Sequence, residues 1–242
     1  MKTIIILSLA FLGFLSCSNS KSKPAQVSEK QPNVEENTVL SSPHLSKDTL
    51  FDFTAYQIDA LPTGWSQYFT GRGKVTDWKI IADGGEKVLA QLSQDRPNYH
   101  FNDVVFDGFT AKDVKLKVKL KGVKGSMDQG GGLIWRWKDK NNYYVVRANP
   151  LEDNVVLYKV ENGKRSDLPV LGKGRTYGVD VPKLGKGWNS LEVDVKDDLF
   201  VVGLNGQEIF RVKDQTFSQA GKVGLWTKAD AVSYFKEFWV GL

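Results

Sequence analysis

Between Val114 and Lys121 the chain alternates strictly: Val114, Leu116, Val118 and Leu120 against Lys115, Lys117, Lys119 and Lys121. Successive side chains of an extended chain point to opposite faces, so this pattern predicts a strand with one buried face and one lysine face. The lysine face is expected to be a solvated scaffold that deters edge pairing, with a basic recognition stripe as the alternative. Shorter apolar runs at residues 50–53, 78–82, 87–91, 99–106, 155–160, 200–204, 209–212, 223–228 and 234–240 also read as strands. Turn signals separate them, notably Asp83-Gly84-Gly85 and Asn205-Gly206. Asn-Gly favours a tight hairpin because both positions tolerate positive φ. No stretch carries a long amphipathic helical period. An all-β sandwich or barrel follows.

The densest mixture of aromatic, Arg and amide side chains lies at residues 130–165, read as three consecutive strands. A four-residue hairpin loop over 139–142 sets Lys138 opposite Tyr143, and opposed residues share a face. One face then carries Ile134, Arg136, Lys138, Tyr143, Val145 and Arg147. The other carries Leu133, Trp135, Trp137, Tyr144, Val146 and Ala148 and belongs to the core. Two Arg, a Lys and a Tyr suit hydrogen bonding to hydroxyl, carbonyl or carboxylate oxygens, with a solvated outer face as the alternative. The loop that follows gathers Glu152, Asp153 and Asn154. Glu152 or Asp153 is a candidate general acid or base, or part of a hard-cation site with Asn154; ordinary acidic turn residues are the bland reading. A second rim candidate is Lys228-Ala229-Asp230, with Trp226 either a stacking platform or core.

The first residues change the picture of location. Lys2 and the apolar run at 4–15, too short to span a bilayer comfortably, read as a signal segment over 1–16. Phe14-Leu15-Ser16-Cys17 resembles a bacterial lipobox, which makes Cys17, the sole cysteine, the expected lipidation site. Residues 17–47, rich in Ser, Lys, Pro, Glu and Asn, are expected to be a tether, and 48–242 the folded domain. The expected location is the bacterial cell envelope, membrane-attached only through lipid.

The +5 formal charge, from 33 Lys+Arg against 28 Asp+Glu, is spread along the chain. Without a concentrated basic stripe, nucleic acid is not an expected partner. There is no phosphate loop and no Cys/His cluster, and of the two histidines only His100 lies in the predicted domain. No cofactor is expected, although a divalent cation stays open. Glu192 and Asp194 share the two-residue spacing of retaining glycosidase carboxylates, but Lys196 takes the next position on that face. An outward polar face is the simpler reading.

Several motifs together carry a family resemblance: W-K-I-I-A-D-G with V-L-A-Q, D-Q-G-G-G-L-I-W-R-W-K-D with N-N-Y-Y, then L-Y-K, W-N-S-L, L-N-G and G-K-V-G-L-W-T-K-A-D. Spread over residues 50–240, they resemble the 3-keto-disaccharide hydrolase domain family. The resemblance implies a concanavalin A-like jelly-roll sandwich of two antiparallel sheets, related also to laminin-G-like modules, and a glycoside ligand. It leaves two functions open. In the first, a glycoside oxidised at the sugar 3-position is cleaved, with Glu152 as base and Arg136 and Arg147 stabilising the enolate. In the second, carbohydrate is bound without chemistry, or the domain is an adhesive module of the envelope. Arg136, Lys138, Tyr143, Arg147, Trp226, Lys228 and Asp230 are the candidate ligand contacts.

Overall fold

The alternation resolves into strands throughout residues 48–242, the part of the chain that the computed structural model describes; Cys17 and the segments before residue 48 lie outside it. In chain order the strands are β1 (Thr49–Phe51), β2 (Trp65–Gly71), β3 (Trp78–Asp83), β4 (Glu86–Gln91) and β5 (His100–Phe106). Next come β6 (Val114–Lys124), β7 (Gly131–Asp139), β8 (Asn142–Asn149), β9 (Asn154–Glu161), β10 (Lys164–Asp167) and β11 (Val179–Asp180). The series closes with β12 (Asn189–Lys196), β13 (Leu199–Leu204), β14 (Gln207–Lys213), β15 (Lys222–Lys228) and β16 (Val232–Gly241). One antiparallel sheet runs β14-β13-β12-β6-β16-β4-β3, with β1 also on β16; the other runs β10-β9-β8-β7-β15-β5-β2, with β11 also on β9. We call them sheet A and sheet B.

Between the sheets lies the core. Val114, Leu116, Val118 and Leu120 of β6 meet Leu133, Trp135, Tyr144 and Val146 of β7 and β8, with Phe200, Phe235 and Phe238 among them. The lysines of β6 face outward as expected. The four of the alternating run have carboxylates beside them: Lys115 with Asp194 at 3.0 Å, Lys117 with Glu192 at 3.0 Å, Lys119 with Glu237 at 2.7 Å and Lys121 with Asp83 at 2.5 Å. Glu192 and Asp194 are therefore ion-paired on the outside of sheet A, the simpler of the two readings of that strand.

The β7–β8 hairpin departs from its predicted register. Asp139 pairs with Asn142 across a two-residue turn, and Trp135 pairs with Tyr144, so three residues of β7 oppose Tyr143 alone. This bulge is centred on Arg136, whose φ is +47°, and the ladder to β15 shifts at the same place. Within a bulge the regular alternation of facing is broken. Trp137, expected in the core, consequently lies on the outer face of sheet B with Ile134, Tyr143 and Val145. Arg136, expected on that outer face, turns the opposite way.

Sheet B is strongly curled. Strands β10 and β5 stand five steps apart in its order, about 24 Å in a flat sheet. Yet the Arg165 backbone N–H of β10 donates to the Tyr99 hydroxyl beside β5, and its guanidinium sits 4.8 Å from the Phe101 ring centroid. The outer face of sheet B is thus folded into a trough across which the edge strand β10 reaches side chains at β5.

Candidate functional site

The floor of the trough is apolar and aromatic: Phe101 and Val105 of β5, Trp226 of β15, Tyr143 and Val145 of β8, and Val156, Tyr158 and Val160 of β9. These side chains are buried by one another and by Arg165, which pairs with Val160 in the ladder and so shares its face. The Arg165 guanidinium lies 4.3 Å from the Tyr158 centroid and 5.9 Å from that of Trp226. Burial pushes the Tyr158 phenol well above its ordinary range, so it remains a protonated ring.

Deep in the trough, Asp103 is fully buried with no cation against its carboxylate. Burial pushes its carboxyl well above the ordinary range, against the opposing hydrogen bonds of Tyr143 and Thr70. The Thr70 hydroxyl donates to the Lys140 carbonyl, and Thr70 Oγ1 and Tyr143 Oη lie 2.9 Å apart. The Tyr143 hydroxyl donates to Asp103 Oδ1 at 3.3 Å. Asp103 is sealed inside the sheet, its carboxyl shifted by burial towards the neutral form.

At the mouth the side chains are accessible. Tyr99 and Tyr177 are 38% and 47% exposed, and both have left-handed backbones, with φ of +69° and +56°. That conformation is uncommon for a bulky residue and is held only where the surroundings impose it. Tyr99 packs on Phe101 at 4.8 Å between centroids and Tyr177 on Tyr158 at 6.0 Å, so the two flank Arg165. Beside them Arg147 donates to Glu152 at 2.7 Å, to the Tyr158 hydroxyl at 3.2 Å and to Asn154 Oδ1. Arg147 Nε and Arg165 Nη1 are buried and have no hydrogen-bond partner among the described residues; nor does Asp167 Oδ2. The lip therefore presents two exposed aromatic side chains, Tyr99 and Tyr177, beside the Arg165 and Arg147 guanidinium groups, whose unpaired N–H groups lie beneath the surface. Such a set can stack on a ring and bond its hydroxyls.

The residues singled out in the sequence scatter. Only Arg147 and Glu152 meet here. Tyr143 and Trp226 form the buried floor, so Trp226 offers no platform to a ligand. Lys138 projects at the exposed end of β7. Lys228 bonds Asp128 at 3.2 Å. Asp230 accepts from the backbone N–H groups of Ser126, Met127 and Asp128, pinning that loop. Burial works to raise the Asp230 carboxyl, but these donors more than offset it and hold it below the ordinary range.

Arg136 leaves the group altogether. Its Nε donates to Lys112 O at 2.8 Å, Nη1 to Phe217 O at 2.8 Å and Nη2 to Asp197 O at 2.5 Å, tying three loops at one end of the sandwich. That end holds a hollow of about 480 Å³ shared with Asp197, Asp198 and Asp214, none of which contacts Arg147 or Glu152. The arrangement of Arg136, Arg147 and Glu152 around one enolate is not formed. Asp153 accepts from Leu184 N at 3.0 Å, and among the described residues no group of three or more His, Cys, Asp or Glu is placed to hold a metal. His100 is buried, bonding Arg72 O and Asn102.

The pattern missed Tyr99, Tyr158, Arg165 and Tyr177. For Arg165 a signal existed: Asn162-Gly163 is a hairpin turn, and its return strand places Arg165 opposite Val160. Nothing local foretells that β10 reaches β5 across the sheet.

No protein-family model matches the chain, and no curated protein matches it. Among solved structures, the carbohydrate binding module CBM66 from Bacillus subtilis aligns with a TM-score of 0.55 at 20% identity, over 74% of this chain and 96% of that one. A native glycosidic hydrolase aligns at 0.53 and 11%, over 83% and 97%. The mixed linkage glucan GH16 of Bacteroides ovatus aligns at 0.52 and 10%, over 79% and 98%. At these identities the likeness is one of fold. The described domain is an all-β jelly-roll sandwich of two curled antiparallel sheets, the class predicted from its alternation and motifs.

Proposed function

We propose that this domain binds carbohydrate at the lip of the sheet B trough and does not cleave it. The observation that carries the reading is the pair of exposed, left-handed tyrosines, Tyr99 and Tyr177, set either side of Arg165. Left-handed backbone at two bulky residues costs on the order of 1–3 kcal/mol each, a cost that ligand contact explains. The carbohydrate binding module and glycoside hydrolases of like fold support a sugar as that ligand. Against chemistry stands the state of the acids: Glu152 is ion-paired to Arg147, Asp103 is sealed in the floor, and Glu192 and Asp194 are paired to lysines on the other sheet.

The family resemblance keeps a 3-keto-glycoside in the ligand panel. Cys17 is proposed as a lipid anchor that presents the domain at the cell envelope. Titrating the full domain with neutral oligosaccharides and with a 3-keto-glucoside, while following substrate loss, tests the reading. Saturable binding without turnover is expected, weakened roughly tenfold or more in Arg165→Gln and Tyr99→Ala. Turnover by the wild type would replace the binding reading with the enzymatic one. Binding untouched by both variants would move the site elsewhere.

A further inference from the structure

A second hollow, of about 600 Å³, lies on the outer face of sheet A, within the range of small-ligand pockets. Its wall is formed by Lys117, Lys119 and Lys236 around Trp188, with Ser190 and Asn205 as neutral hydrogen-bonding groups, and no carboxylate lines it. The Trp188 ring is half-buried and held by two ammonium groups, Lys236 Nζ at 4.8 Å and Lys121 Nζ at 4.9 Å from its centroid. The acidic partners of the three lining lysines, Glu192, Glu237 and Glu86, stand outside the hollow with side chains 33%, 42% and 61% exposed. The Lys117 and Lys119 pairs are solvent-exposed on both sides and contribute little to stability, so an incoming anion can take over these lysines at small cost, while Lys236, 14% exposed, stands fixed beside the indole.

We propose that this hollow binds an anionic saccharide, a sugar ring bearing a carboxylate or a sulfate. The ring packs against Trp188, the anion sits among Lys117, Lys119 and Lys236, and the remaining hydroxyls meet Ser190 and Asn205. One indole with amide and hydroxyl neighbours suits a single sugar better than a nucleic-acid strand, which calls for a series of stacking rings. The lip of sheet B differs in kind, since Arg147 pairs with Glu152 and Arg175 with Asp167 there, so carboxylates stand among its cations. The two sites therefore differ in ligand charge and do not depend on one another.

The test is titration of the full chain at low salt with oligogalacturonate, with a sulfated oligosaccharide, with their neutral counterparts and with single-stranded DNA. Binding of one or both acidic sugars is expected, falling steeply by 0.5 M salt as charge is screened, about that concentration being well beyond the range of surface attraction. The paired variant Lys119→Gln/Lys236→Gln is expected to weaken it at least about tenfold, and Trp188→Ala to weaken it at both low and high salt. Which acidic sugar binds distinguishes carboxylate from sulfate. Arg165→Gln should leave acidic binding unchanged, separating this site from the lip. The lysine changes lie on an exposed face, and thermal unfolding will show that the domain remains folded. Absence of acidic-sugar binding, equal capture of DNA, or binding indifferent to the lysine pair would each overturn the proposal.

Discussion

Asp103 illustrates how burial alone sets chemistry at one residue. Its carboxyl is raised by burial, so the folded state holds a proton that the unfolded chain releases near pH 4. Its favourable contribution is complete below that pH and is lost as pH rises towards the raised folded value. Asp103→Asn, which keeps a neutral hydrogen-bonding group, should therefore gain stability relative to wild type as pH rises from about 4 to 8 in denaturant unfolding. Parallel pH profiles for the two proteins would mean that Asp103 is ionised in the fold. Asp230 is the opposite case. Its lowered carboxyl contributes stability above the ordinary range that disappears as pH falls through the folded value. Because three backbone N–H groups depend on it, Asp230→Ala should cost about 2–3 kcal/mol in unfolding free energy while leaving sugar affinity unchanged. A selective loss of affinity would restore it as a ligand contact.

At the scale of elements, the bulge of β7 decides what each face presents. A regular hairpin would have aligned Arg136 with Tyr143 and Arg147; the inserted residues turn Arg136 to the end of the sandwich, where it bonds three loops. The neighbouring strand makes room for it. A Cβ on Gly221 would stand 2.4 Å from the Arg136 carbonyl carbon, closer than any real contact. Gly221→Ala and Arg136→Ala should each destabilise by about 3 kcal/mol, measured as a shift in denaturant midpoint at constant m-value. The lysine ladder of β6 behaves differently, since its pairs are solvent-exposed. Lys115→Ala should alter stability by less than about 1 kcal/mol. A larger loss would show that the ladder acts as a network.

For the whole molecule, the closing of sheet B separates this jelly roll from one with an open groove. Arg165, Tyr158 and Trp226 fill the trough, leaving its lip as the accessible part, while sheet A keeps a solvated face with the Trp188 hollow. The proposed anchor at Cys17 adds location to this arrangement. Cys17→Ser should abolish lipid labelling in cells and release the protein to the soluble fraction, and a persistent label would refute it.

Strand positions and the class of fold were readable along the chain because alternation and Gly-rich turns are local properties. The lysine face of β6, the Asn205-Gly206 hairpin and the outward Glu192 and Asp194 all followed from them. Facing at Arg136 and Trp137 was not readable, because the bulge breaks the alternation there and a bulge is settled by how β7 meets β8 and β15 together. Nor was the lip. Tyr99 and Arg165 are 66 positions apart and meet only because the sheet between them curls, a consequence of packing summed over strands that no short window contains.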